Sequence, residues 1–126
     1  MKYLADTHVF LWWMADPEQL SEAVTETLLR RAGEVAFSAV SGWEIAVKMS
    51  IGKLEGVPID RLEEEVSAQG WRELSFTLRY LPTLATLPFH HHDPFDRALV
   101  AQALDEDLTV LTRDRKIARY DVRTLW

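Results

Sequence analysis

No cysteine occurs in the chain, which excludes disulfides and thiolate zinc centres and leaves oxygen and imidazole as the metal-ligating groups. A long apolar run is missing too. The longest stretch free of Asp, Glu, Lys and Arg, Tyr80 to His92, carries two prolines and three histidines and falls short of the ~20 apolar residues a membrane span requires. Met1-Lys2-Tyr3 leads straight into an apolar strand pattern, with no room for the charged leader, apolar core and cleavage site of a secretory signal. The expectation is a soluble, cytoplasmic protein without membrane contact. Positive charge is also scarce: 14 Lys and Arg stand against 20 Asp and Glu, a net charge of −6. That balance argues against neutralising a nucleic-acid backbone over a broad surface, so any such contact must be local.

What remains is an ordinary globular composition, 48% hydrophobic and 27% charged, far from the signature of disorder. Its 126 residues suit one domain spanning residues 1–126, too short for two cores. No repeat, linker or low-complexity segment divides it. Apolar runs bounded by turn signals predict strands at Lys2–Asp6, Glu34–Ser38, Trp71–Phe76, Thr109–Thr112 and Asp121–Trp126. Helices are expected at His8–Met14, from Ser21 to Arg31, from a cap at Ser38 or Ser41 to Ser50, and from Pro58 to Gln69, ended by Gly70. Pro82 suits the first turn of a helix reaching Leu87, Asp93 caps one running to Asp105, and a turn with a short helix covers Arg113–Arg119. Strand and helix alternation predicts an α/β fold with a central, mainly parallel sheet of about five strands flanked by helices.

Five acids, Asp6, Glu44, Asp93, Asp96 and Asp114, are read as sitting where a strand ends or the next helix begins. Each has a bland explanation. Asp93 before Pro94 is a natural N-cap, Asp96 favours the positive helix end, Ser41-Gly42-Trp43-Glu44 has the form of a capping box, and Asp6 and Asp114 precede helices. Capping, however, does not require convergence. In a parallel sheet, Asp6, Glu44, Asp96 and Asp114 share the carboxyl edge, where ligands bind in open α/β folds. Carboxylates ~4 Å apart repel by roughly 4 kcal/mol at an effective dielectric near 20, so such a cluster must take up protons or a cation. An oxygen-only donor set favours Mg²⁺ or Mn²⁺.

Four segments, Leu4-Ala5-Asp6-Thr7-His8, Ser38-Ala39-Val40-Ser41-Gly42-Trp43-Glu44, His92-Asp93-Pro94-Phe95-Asp96-Arg97 and Leu111-Thr112-Arg113-Asp114, resemble the motifs of PIN-domain ribonucleases. Within that family the chain resembles the VapC-type toxins of type II toxin–antitoxin pairs. The likeness implies a PIN-like α/β/α sandwich in which Asp6, Glu44, Asp96 and Asp114 are the catalytic quartet holding one or two Mg²⁺ or Mn²⁺ ions. Thr7, Asp93 and Thr112 are then supporting residues. It also implies endonucleolytic hydrolysis of RNA by metal-activated water, leaving 3′-hydroxyl and 5′-phosphate ends. Its implied partners are an RNA substrate, a cognate antitoxin whose helical tail lies in a groove, and a second copy of the chain. His8 stands where many members have Asn. Lys48, Arg97, Arg113, Arg115 and Lys116 lie near the expected mouth in sequence and are candidate contacts to the RNA backbone.

Two features are set aside. His90-His91-His92 are consecutive, and adjacent loop residues rarely converge on one zinc ion. The five tryptophans are assigned to core or interface rather than to base stacking. The apolar run Phe10-Leu11-Trp12-Trp13-Met14 leaves its helix without a polar face and cannot all face one small core, so some of these residues are expected to meet another chain. Competing readings are a PIN-like module without catalysis that only binds a partner, and a phosphoacceptor receiver domain. The receiver needs a central Asp after the third strand, where this chain has Phe76-Thr77, and a Lys after the fifth.

Overall fold

A computed structural model describes all residues from Met1 to Trp126. Five short strands, β1 (Tyr3–Ala5), β2 (Val35–Ser38), β3 (Arg72–Leu74), β4 (Thr109–Leu111) and β5 (Thr124–Leu125), form one sheet in the order β3-β2-β1-β4-β5. Every pairing is parallel. The helices are α1 (Thr7–Ala15), α2 (Glu22–Arg30), α3 (Ala39–Ser50), α4 (Leu62–Ala68), α5 (Leu81–Thr86) and α6 (Pro94–Glu106). The α/β architecture with a central parallel sheet is therefore as expected.

Side-chain alternation along the strands divides the core in two. Leu4, Ala36 and Val110 face a cluster built with α6, including Leu99, Val100 and Ala103. Ala5, Phe37 and Leu111 face the other way, against Val9 and Phe10 of α1, Val24 and Leu28 of α2, Ile45 of α3 and Val66 of α4. Helix α3 serves both clusters, Val40 in one and Ile45 in the other. It therefore passes across the end of the sheet, which carries its middle to the strand termini.

Most boundaries fall within a residue or two of the expected ones, but α3 begins differently. Ser38 is its N-cap, its hydroxyl accepting from the Val40 N–H at 3.0 Å. Ser41 lies inside the helix and is fully buried, so the Ser41-to-Glu44 capping box does not form. Glu44 belongs to the second turn of α3, not to a strand end or helix start. The other caps follow the sequence signals: Asp6 accepts from Val9 N–H at 2.8 Å, Ser21 from Val24 N–H at 3.1 Å and Asp93 from Asp96 N–H at 2.9 Å.

The apolar helix α1 is covered largely from within the chain. Val9 and Phe10 are buried in the core, Trp13 donates its indole N–H to Gln69 Oε1 at 3.0 Å, and Trp12 lies 6.0 Å from the Trp126 ring, centroid to centroid. Only Met14 among the expected interface residues is substantially open. Helices α2, α4 and the carboxyl-terminal strand thus supply much of the cover that composition alone assigned to a second chain. No helix is long and apolar enough to cross a membrane.

Candidate metal and catalytic site

The strand register builds the site. Ala5 is aligned with Phe37 on one side and Leu111 on the other, so Asp6, Ser38 and Thr112 emerge side by side from the carboxyl edge. The Asp6 backbone N–H extends the ladder to Leu111 O at 3.1 Å. Asp6 is buried, with one oxygen capping α1 and the other accepting a short hydrogen bond from the Thr112 hydroxyl. The Thr112 hydroxyl oxygen in turn accepts from the Asp114 N–H at 3.0 Å, and Asp114 Oδ1 accepts from the Lys116 N–H at 2.8 Å. Thr112 thereby ties Asp6 to the loop that carries Asp114.

Thr7 makes the corresponding link on the other side. Its hydroxyl donates to Glu44 Oε1 at 2.7 Å and lies 2.9 Å from Ser41 Oγ. The other Glu44 oxygen, Oε2, accepts from Lys48 Nζ at 2.5 Å, one helical turn on. Glu44 is only 3% exposed, so this ammonium is its local counterion. The supporting residues Thr7, Thr112 and Asp93 therefore hold acids or cap the helix that carries one.

Asp96 completes the cluster from the first turn of α6. Its carboxyl is pushed up to about 6, first by burial and then by the charge of Asp93, with smaller contributions from Asp114 and Glu44 and a hydrogen bond from His91 working in the opposite direction. Burial likewise raises Asp6, against the Thr112 and Val9 hydrogen bonds, while Asp114 adds to the rise. Asp114 and Glu44 thus act on Asp96, and Asp114 on Asp6, from separate segments of the chain. No three of these acids, with or without a histidine, close into a finished set of metal ligands. Still, the donor set fits a hard divalent cation. It consists of carboxylate oxygens, holds more acids than the one ammonium of Lys48 offsets, and engages a single carboxylate oxygen of Asp96 (Oδ2) and of Asp114 (Oδ1) in hydrogen bonds.

The cations proposed from sequence separate into different roles. Arg113, Arg115 and Lys116 are exposed beside Asp114, and the Arg113 guanidinium lies over the Trp12 ring at 4.6 Å. Lys48 is engaged with Glu44. Arg97 is not a surface contact: it is 7% exposed, donating to Pro88 O at 2.8 Å, Leu87 O at 3.3 Å and the Tyr120 hydroxyl at 3.0 Å. These partners hold the guanidinium inside the protein, away from any RNA backbone. Sequence reading also missed His91, which adjoins Asp96, and Tyr120, which adjoins His91, since a histidine triplet gives no sign of which ring turns inward.

A groove of about 240 Å³ between α1 and residues 54–58, lined by Phe10, Leu11, Met14, Leu54, Val57 and Pro58 with Glu55 and Glu65 beside them, has none of Asp6, Glu44, Asp96 and Asp114 in its walls. Acid centre and groove are separate surfaces.

A family model described as the PIN domain matches residues 3–123 of the chain. The chain is 29% identical over 116 residues to Ribonuclease VapC22 of Mycobacterium tuberculosis (strain ATCC 25618 / H37Rv), an alignment covering 90% of this chain and 88% of that protein. Its fold is similar to that in the crystal structure of VapBC2 from Rickettsia felis bound to a DNA fragment from their promoter, with TM-score 0.74 and 13% identity over 99% of this chain and 98% of that one. It is also similar to the crystal structure of FitAcB from Neisseria gonorrhoeae, with TM-score 0.70 and 22% identity over 98% and 96% of the two chains.

Proposed function

Because the chain belongs to the PIN domain family, we propose that it is a metal-dependent ribonuclease acting as the toxin of a toxin–antitoxin pair. The observation that carries this reading is the gathering of Asp6, Glu44, Asp96 and Asp114 at one sheet edge, Thr7 and Thr112 linking the first to the second and fourth. Its similarity to a VapC ribonuclease supports RNA as the substrate.

In this reading Asp6, Glu44, Asp96 and Asp114 hold Mg²⁺ or Mn²⁺. When bound, the cation polarises the scissile phosphate, activates water and offsets charge on the leaving oxygen. The chain's own residues do the rest. Thr7 and Thr112 fix the Glu44 and Asp6 carboxylates so that little reorganisation is needed when charge develops. Asp93 holds the first turn of α6, and so Asp96, in place through its cap. Arg113, Arg115 and Lys116 bind flanking phosphates and set the direction of the strand across the edge. Lys48, paired with Glu44, adds a further positive charge for the RNA backbone. The groove between α1 and residues 54–58 takes an apolar segment of the antitoxin, and a second copy of the chain is a further partner.

The test is cleavage of an end-labelled RNA pool with Mg²⁺ or Mn²⁺ by wild type, Asp6→Asn, Asp96→Asn and Asp114→Asn. Wild type is expected to leave 3′-hydroxyl and 5′-phosphate ends and each variant to lose at least about 100-fold in rate, the scale of a lost metal ligand or its orienting partner. Variants that cut as fast as wild type overturn the assignment. The Lys48–Glu44 pair favours a second reading, in which the ammonium serves as the permanent counterion and the chain only binds a partner. Calorimetric titration with Mn²⁺ separates them, because the second reading requires no saturable binding.

A further inference from the structure

Of the three consecutive histidines, His91 alone is drawn into the acid centre. Its side chain is 9% exposed, with Nε2 3.1 Å from Asp96 Oδ2 and Nδ1 2.8 Å from the Tyr120 hydroxyl. Tyr120 is buried and also accepts from the buried Arg97 guanidinium at 3.0 Å. Arg97 is itself anchored by the carbonyls of Leu87 and Pro88 and by the Phe89 ring, 4.1 Å from its guanidinium carbon.

Donor and acceptor capacities give this chain a direction. A guanidinium only donates, so the Tyr120 oxygen accepts from Arg97. The single phenolic proton then has a choice between His91 Nδ1 at 2.8 Å and the His91 carbonyl at 3.4 Å, and the shorter contact takes it. With Nδ1 accepting, the proton of a neutral imidazole resides on Nε2, and it is donated to Asp96 Oδ2. Each member therefore fixes the next, from Arg97 through Tyr120 and His91 to Asp96. The carboxylate is held by one oxygen, and Oδ1 is left free of that tether.

We propose that His91 is a positioning residue, held by Arg97 and Tyr120, that orients the Asp96 carboxylate to receive a divalent cation. This inference rests on the metal-dependent reading above. It assigns to a motif outside the acidic quartet the task that a hydrogen-bonded partner performs at many metal sites, where its loss weakens affinity by roughly 10- to 100-fold.

Two measurements test it. Calorimetric titration with Mn²⁺ compares wild type, His91→Phe, His91→Gln and Tyr120→Phe, each checked for folding by its thermal melt. His91→Phe, which keeps a ring of similar bulk but no donor, is expected to bind roughly 10- to 100-fold more weakly. His91→Gln, whose amide nitrogen can replace Nε2 as donor, is expected to recover most of that loss. A folded His91→Phe protein with wild-type affinity overturns the inference alone, whereas a wild type that binds no Mn²⁺ overturns the metal reading and this one with it. The second measurement needs no metal: ¹⁵N spectra of histidine-labelled protein at about pH 9, where an imidazole ordinarily carries a single proton, are expected to show that proton of His91 on Nε2 and not on Nδ1, and Tyr120→Phe to relax that preference. A proton resident on Nδ1 in wild type refutes the chain of donors even if every variant misfolds.

Discussion

Replacing Asp96 by Asn is expected to stabilise the metal-free protein while weakening its response to cations. The carboxyl of Asp96 is raised from 3.8 to about 6, a difference worth ~3 kcal/mol between its two protonation states. A folded-state value above the unfolded one means that folding favours the proton. The associated stability is complete below about pH 4, and is lost as pH rises through 6, where the folded carboxyl must ionise beside Asp93, Asp114 and Glu44. Asparagine carries no charge and its carbonyl oxygen still accepts from His91, so above pH 7 the variant should gain ~2 kcal/mol after some loss in packing. For a domain of this size that corresponds to a rise of roughly 6–10 °C in melting temperature. The assay is thermal unfolding of both proteins at pH 8 and pH 3.5, with chelator or with Mn²⁺. With chelator the gain should be present at pH 8 and absent at pH 3.5. At pH 8, Mn²⁺ should raise the wild-type midpoint more than that of the variant, because only wild type gains a carboxylate–cation contact. If the variant is less stable than wild type at pH 8 in chelator, the neighbouring charges do not act on Asp96 as described and the electrostatic account of the centre fails.

Asp6→Ala should cost ~1 kcal/mol more in urea unfolding than Asp6→Asn, since the alanine also abandons the Val9 N–H at the start of α1; equal losses would deny Asp6 its capping role. Arg97→Met should destabilise by ~2–4 kcal/mol, because it strands the carbonyls of Leu87 and Pro88 and the Tyr120 hydroxyl. A loss confined to RNA affinity, with denaturation midpoints unchanged, would restore Arg97 to the surface. Gln102→Leu should cost ~1–3 kcal/mol, as the fully buried Ser38 hydroxyl loses its 2.5 Å acceptor and Ser75 O its donor; an unchanged midpoint would mean that the apolar replacement repacks the strut.

The sheet was legible because parallel strands buried on both faces read as apolar runs, and because Asp93-Pro94 and Ser21 cap α6 and α2 by local chemistry alone. The placement of two acids was legible for a related reason: Asp6 follows β1 and Asp114 lies in the loop after β4, so alignment at Ala5, Phe37 and Leu111 carries both to one edge. Glu44 was misplaced because Ser38 and Ser41 both satisfy the local rule for a cap, and only packing selects Ser38 while burying Ser41. Arg97 looked like a surface charge because nothing local reveals that two carbonyls and a phenol await its guanidinium. The inward turn of His91 depends on Tyr120, far along the chain, which no window of neighbouring residues contains.

β1 precedes the other four strands along the chain, yet it lies at the middle of the sheet and is bracketed by β2 and β4. Its second neighbour comes more than a hundred positions later: the register joins Leu4 to Val110. Folding must therefore close a long loop before the centre strand has both partners, the kind of nonlocal contact that slows formation of the native state. The hydroxyl that holds Asp6 arrives on the same late segment. The acids at this edge are therefore brought together only when the segment carrying Thr112 and Asp114 has docked beside β1, so their gathering reports completion of the sheet.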